Sequence, residues 1–400
     1  MTNPTLSAVA DLLDDRSYHI EFNGHLTNHV KHAVIALAEI GAPEGLIRAY
    51  YTEYARLTAY GFPLEPKRTS SQVIDADNWR EYVGQRVHFT AYHEFFDTEV
   101  RRLGIDGALA TYAPELLSGW IGAFTHATIH LGWAVWAGHP GMTAEALAYL
   151  TFSAVPVTPG DRTPSPYTAA ADPWESLVRL SAGWADDPDF RSAVEPVIEH
   201  TDTVTELHPE LRRSGLQARV AAIAAADIPA LSDTPAWVRD GTDRREELRR
   251  AVTLLYLAVP GDFVVLHLIT SLFALEVITD RLGSPAERDR IHDLFWAGLR
   301  IILAAETKIP DPRKLRALAD IYRDESPDSG ELPAAEFEVT ARRAWLEDEE
   351  HNPKLVFVLR QWWGEDRWPA YRHAAAQFTR TPLLPPSFDE PPTDQTGTPS

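Results

Sequence analysis

Apolar positions recur every three to four residues along most of the chain, the period of an amphipathic helix, and no stretch of any length alternates apolar and polar residues as a half-buried strand does. After a short lead, a helix is predicted over 25–40, entered just after Asn23-Gly24 and ended by Gly41-Ala42-Pro43, with His25, His29 and His32 on one face at i, i+4 and i+7. Further helices are predicted over 46–60, 77–103, 109–136 and 143–152. Beyond a proline-rich stretch at 155–173 they resume over 174–184, 191–200, 209–226, 244–257, 262–282, 285–305, 313–322, 334–345 and 353–363. In the last of these Asn352 reads as the cap and Pro353 as a first-turn residue, which puts Lys354 in the first turn of an apolar helix. The proline-rich stretch reads as a linker or as a lid over a cavity. The expected architecture is all-α, a large bundle-like helical body over 1–380, with possible lobes 1–155 and 173–380 and a disordered tail over 381–400.

Two predicted helices are too apolar to have a solvent face. One contains His126-Ala-Thr-Ile-His130-Leu-Gly-Trp-Ala-Val-Trp136, with two imidazoles one turn apart that project from one side and could bind one ion together. Spacing alone is weak support, because a chain with fifteen histidines in 400 residues contains such a pair by chance about half the time. The apolar setting is stronger support, since buried imidazoles need partners. The other helix places His267 within thirteen consecutive uncharged residues. Each group has an ordinary explanation: a lone core histidine bonds a main-chain carbonyl, and a lysine at a helix start snorkels to water. Taken together, His29 and His32, His126 and His130, His267 and Lys354 put four basic patches into apolar helices, and such imidazoles either pair with one another at a cost or share an ion. His88 and His93, five apart, do not share a helix face.

Composition narrows the chemistry. With no cysteine, zinc–thiolate sites, iron–sulfur clusters, disulfides and cysteine nucleophiles are all excluded. A His-rich site then suits iron, copper, nickel or zinc, with iron the usual choice for oxygen chemistry. A net charge of −21 argues against nucleic acid or an anionic membrane as partner. No signal-peptide pattern or run of eighteen apolar residues is seen, and a cytoplasmic protein is expected. Gly-x-Gly-x-x-Gly after a strand, a Walker sequence and Gly-x-Ser-x-Gly are all missing.

The order of short motifs resembles the questin oxidase-like family: Asn28-His29-Val-Lys-His32 running to Gly41-Ala42, Tyr50-Tyr51, Phe95-Phe96 with Gly104, His126-Ala-Thr-Ile-His130-Leu-Gly132, His267-Leu-Ile-Thr270 and His351-Asn-Pro-Lys354, spread over about residues 15 to 375. The resemblance implies an enzyme of aromatic polyketide pathways that oxygenates and opens anthraquinone-type rings, of a kind labelled Baeyer–Villiger oxidases, with a mononuclear non-heme iron site. Carried onto this chain, it implies His126, His130 and His267 as ligands with His29 or His32 as a fourth, and it matches Lys354 to a family lysine. His25 is an extra histidine, so the choice among His25, His29 and His32 stays open, the others serving behind the ligands. A buried Lys354 of depressed pKa can react with carbon dioxide and become a carbamate, the anionic ligand that a His-only site lacks.

The expected function is oxygenation by O2 at Fe(II), cleaving a ring of an anthraquinone-like small molecule. Trp120, Trp133, Trp136 and the tyrosines of 46–60 either line a flat pocket or pack the core. A flavin- and NADPH-dependent Baeyer–Villiger monooxygenase and a non-catalytic polyketide-binding helical protein are the alternatives.

Overall fold

The structure, a computed structural model, describes residues 3–160, 169–201, 211, 214–240, 244–322 and 325–382. Among these, eighteen α-helices and one hairpin of two-residue strands make up the regular structure, so the all-α expectation holds. Capping chemistry sets many boundaries where the sequence puts them. Ser284 caps Pro285–Ala305 through the Glu287 amide, and Asp262 caps Phe263–Leu282 through the Val264 and Val265 amides.

Five helices meet around the centre of the molecule. His126–Trp136 packs between Pro140–Ser153 and Phe263–Leu282, while His351–Asp366 contacts both Phe263–Leu282 and Val30–Glu39. Gly132 permits the closest of these crossings: a Cβ there would lie 2.4 Å from Ala274 Cα on the Phe263–Leu282 helix. Fully buried Leu131, Val265, Leu266, Leu355 and Phe357 fill the space between, each side chain contributing about 1.5–3 kcal/mol of burial. Phe263–Leu282 is long and apolar enough to cross a membrane by length and composition, yet 83% of its most apolar window is buried inside the protein.

Several expectations need correction. The helix predicted over 25–40 starts only at Val30, because Glu21–Phe22 and Leu26–Thr27 pair as a hairpin through Asn23 (φ 47) and Gly24 (φ 81), which puts His25 in a turn. The segment predicted helical from 77 begins with two short 3₁₀ turns, Trp79–Tyr82 and Arg86–His88, and the helix proper, Phe89–Leu116, bends at Gly104, whose positive φ suits glycine. The helix predicted over 109–136 is broken by irregular turns between Leu116 and His126. Asn352 is not a cap: the last long helix opens at His351, and the Asn352 side chain instead accepts from the Thr379 amide at 2.9 Å. Two short helices near the N-terminus, Pro4–Ala8 and Ala10–Asp14, and a last one, Pro369–Ala375, were not anticipated. Of the proline-rich stretch, Val155 bridges to Trp120 and Gly160 to Asp233, whereas 161–168, the middle of the proposed lid, lie outside the described residues, as does the tail beyond 382.

Candidate metal centre

Three left-handed residues in a row, Ala123, Phe124 and Thr125, lead directly into His126. None is glycine, so the turn is strained, and it is held from outside: Gly122 lies so close to the Ser153 carbonyl that a Cβ would come within 2.1 Å of its oxygen. The turn aims the Ala123 carbonyl at the imidazole, and His126 Nδ1 donates to it at 2.6 Å. On the facing helix His267 Nδ1 donates to the Phe263 carbonyl at 2.7 Å. A carbonyl oxygen can only accept, so both Nδ1 atoms carry the proton and both Nε2 atoms of the neutral rings are bare. Those bare nitrogens face each other at 2.9 Å.

Two lone pairs that face each other in a buried site repel unless a proton or a metal ion lies between them. Adjacent nitrogens at right angles on one ion, each about 2.1 Å from it, are about 3 Å apart, which is the spacing seen. A third ring joins them. His351 Nδ1 donates to the Glu349 carboxylate, and its Nε2 is buried with no hydrogen-bond partner among the described residues. His29 completes the set, its ring centroid 4.6 Å from those of both His126 and His351, and ligating atoms of these three residues lie within 4.8 Å of one another. His29, His126 and His351, with His267 against His126, are thus a nitrogen-rich set that could hold a first-row metal ion, with carboxylates and carbonyls behind them.

Lys354 lies against this group, Nζ 2.7 Å from His29 Nδ1. Burial brings its pKa down to about 8, against the pull of Glu350 and Glu349. Burial, neighbouring imidazoles and the Lys354 charge hold His29, His267 and His351 well below the ordinary histidine range, and burial with Lys354 takes His126 down to about 3. Glu350, pushed up to about 8 by burial and by Glu349, lies 4.0 Å from His29 Nε2 and 3.5 Å from the Tyr54 hydroxyl, with its Oε2 unpartnered among the described residues.

His32 and His130, both expected as ligands, form a second layer. His32 Nε2 meets His130 Nδ1 at 2.5 Å, and His130 Nε2 lies 3.0 Å from Glu145, whose other oxygen accepts from Lys31 at 2.6 Å. His126 and His130, read as a pair sharing one ion, thus face different neighbours. His25 stands apart, its carbonyl accepting from Gln217. His93 is buried against Phe89, and His88 packs on Tyr82. Trp120 and Trp133 are core residues, packed on Phe295 and on Phe273 and Phe357, while Trp136 is 37% exposed. Tyr54, by contrast, reaches the centre and accepts from the His29 amide at 3.3 Å.

Sequence reasoning missed His351, Glu349, Glu350 and Glu145. Glu145 had a legible signal as the one charged residue of Pro140–Ser153. Reading Asn352 as the cap puts His351 outside the helix, whereas His351 is its first residue.

The questin oxidase-like family profile matches residues 26–359. Among curated proteins, the chain is 26% identical to "Baeyer-Villiger monooxygenase AacuH" of Aspergillus aculeatus over 36% of its own length and 32% of that protein. It is 28% identical to "Oxidoreductase AflY" of Aspergillus parasiticus over 33% of its own length and 28% of that protein. The matched stretch spans about a third of these relatives.

Proposed function

Because the chain belongs to the questin oxidase-like family, we propose that it is an oxidoreductase of the oxygenase type, holding one iron(II) ion among His29, His126, His267 and His351 with Lys354 beside them, and oxidising and opening a ring of an aromatic polyketide. The observation that carries this reading is the pair of bare nitrogens on His126 and His267, fixed face to face by their main-chain acceptors. The names of the two relatives, a Baeyer–Villiger monooxygenase and an oxidoreductase, support the reaction class. The ligand set differs from the expected one by gaining His351 and by moving His32 and His130 outward.

Iron(II), when bound, would supply activation of O2 and a contact for an ionised phenol of the substrate. The protein does the remaining work. The Ala123 and Phe263 carbonyls and the Glu349 carboxylate orient three rings and keep their Nε2 lone pairs available. The Lys354 amine, largely shielded from water, can add to carbon dioxide, forming an N–C bond and releasing a proton, and the resulting carbamate would give the centre an anionic donor. Glu350, protonated near neutral pH by its raised pKa, can offer a proton from Oε2 to a phenol or ketone oxygen, steadied by Tyr54. The buried surroundings keep bulk water from the reacting ring.

The test is turnover of an anthraquinone-type substrate by protein reconstituted anaerobically with Fe(II), followed by O2 uptake and by incorporation of labelled oxygen, without NADPH. Stoichiometric O2 uptake supports the proposal. An obligatory requirement for NADPH together with a bound flavin spectrum would support the flavin-type reading that the name of AacuH also allows, and ligand binding without any turnover would support a carrier role.

A further inference from the structure

Lys31, Glu145, His130 and His32 form a buried chain behind the candidate metal centre, and we propose that Glu145 is a positioning residue that sets the tautomer of His130 and, through it, that of His32, keeping a bare Nδ1 on the ring beside His29. The inference rests on the metal-centre reading above for its consequence, though the chain itself stands on its own geometry.

The order of donors follows from the end of the chain. Lys31 Nζ donates to Glu145 Oε2 at 2.6 Å, both side chains being less than a tenth exposed. Burial alone would raise the Glu145 pKa, but Lys31 and His130 outweigh it and hold the carboxyl well below the usual range, so both oxygens are acceptors. Glu145 Oε1 lies 3.0 Å from His130 Nε2, an ion-pair contact that is not aligned as a hydrogen bond; two acceptors at that distance would still repel, so His130 carries its proton on Nε2. Its Nδ1 is then bare, and the 2.5 Å contact with His32 Nε2 requires His32 to donate. Burial disfavours a second proton on either ring. What is left is a bare His32 Nδ1, buried and without a partner among the described residues, on a ring whose centroid is 5.5 Å from that of His29. A single carboxylate, Glu145 on the Pro140–Ser153 helix, thus dictates the polarity of a surface two rings away.

Two variants test this, because Lys31 also dictates how an amide would sit. In Glu145→Gln the Lys31 ammonium holds the amide oxygen, so the amide NH₂ faces His130 Nε2. The His130 proton moves to Nδ1, His32 becomes the acceptor at Nε2, and its Nδ1 acquires the proton. Adding Lys31→Met releases the amide to turn its oxygen to His130 and restores the original order. The readout is the ¹⁵N spectrum of histidine-labelled protein, metal-free and Zn(II)-loaded, beside Fe(II) affinity and thermal stability. Expected are Nε2–H tautomers for both rings in the wild type, Nδ1–H tautomers in Glu145→Gln with Fe(II) binding weakened about 10- to 100-fold, and a return towards wild type in the double variant. A wild-type His130 protonated at Nδ1, or a Glu145→Gln protein with unchanged tautomers and affinity, overturns the inference. A wild type that shows the predicted tautomers but takes up no metal instead overturns the metal-centre reading alone.

Discussion

The Phe263–Leu282 helix carries two buried polar clusters, and they are built on opposite plans. At Glu276 the charges cancel within the protein: Arg249 Nε donates to both Glu276 oxygens at 2.9 and 3.1 Å and a further Arg249 nitrogen reaches Glu365. About two and a half turns earlier, His267 faces His126 with no proton between their Nε2 atoms, and the neighbouring His351 Nε2 and Glu350 Oε2 have no partners among the described residues. Equal burial does not mean equal purpose. The Arg249 cluster satisfies itself and supports the fold, whereas the histidine group leaves buried nitrogens facing one another or without partners among the described residues, which is what the proposed iron would satisfy.

The sharpest way to break this contrast is to exchange the effects of the two clusters. His267→Ala is expected to abolish stoichiometric iron binding and to lower turnover at least about 1,000-fold, equivalent to about 4 kcal/mol, while the metal-free protein stays folded by circular dichroism. Glu276→Ala, on the same helix, is expected to leave iron stoichiometry unchanged but to leave the buried Arg249 guanidinium paired only with the largely exposed Glu365, costing up to about 3–5 kcal/mol in denaturant unfolding. Were Glu276→Ala to lose iron while His267→Ala kept it, the assignment of roles would be reversed. Gly132→Ala is expected to do some of both: the added Cβ meets Ala274, forces the His126 and His267 helices apart, costs about 1–3 kcal/mol and weakens iron binding.

The smallest effect concerns pH. His126 has a folded-state pKa near 3 against 6.5 when exposed, so the unfolded chain binds its proton first. Its contribution to stability is present above about pH 6.5 and is lost as pH falls toward 3, at about 1.4 kcal/mol per unit. His29, His32, His267 and His351 shift in the same direction. Glu276 and Glu350, raised to about 7 and about 8, act oppositely, since acid favours their folded form. Among the described residues ten imidazoles are lowered against six carboxyls raised, so the melting temperature of metal-free protein is expected to fall between pH 6.5 and 5, and a rise over that range would contradict the buried neutral imidazoles.

Much of the fold was legible because period and caps agree, as at Ser284-Pro285 and Asp262. The hairpin before Val30 was not, because two-residue strands are too short for any periodicity, although Asn23-Gly24 is itself a hairpin signal. Within the candidate centre, His126, His267, Lys354 and His29 were recognisable as basic groups in apolar surroundings. Which rings face one another was not recognisable, because it depends on the strained turn at Ala123–Thr125 and on main-chain acceptors that only the folded chain supplies. The four-residue spacing of His126 and His130 suggested a shared ion, but the helix crossings give each ring its own neighbours.

The most direct measurement is the metal content of protein prepared without chelator and reconstituted anaerobically with Fe(II). One tightly held iron per chain, lost in His126→Ala and His267→Ala, is the predicted result. A correctly folded wild type that retains no iron after reconstitution would contradict it, and the facing nitrogens of His126 and His267 would then have to share a proton instead.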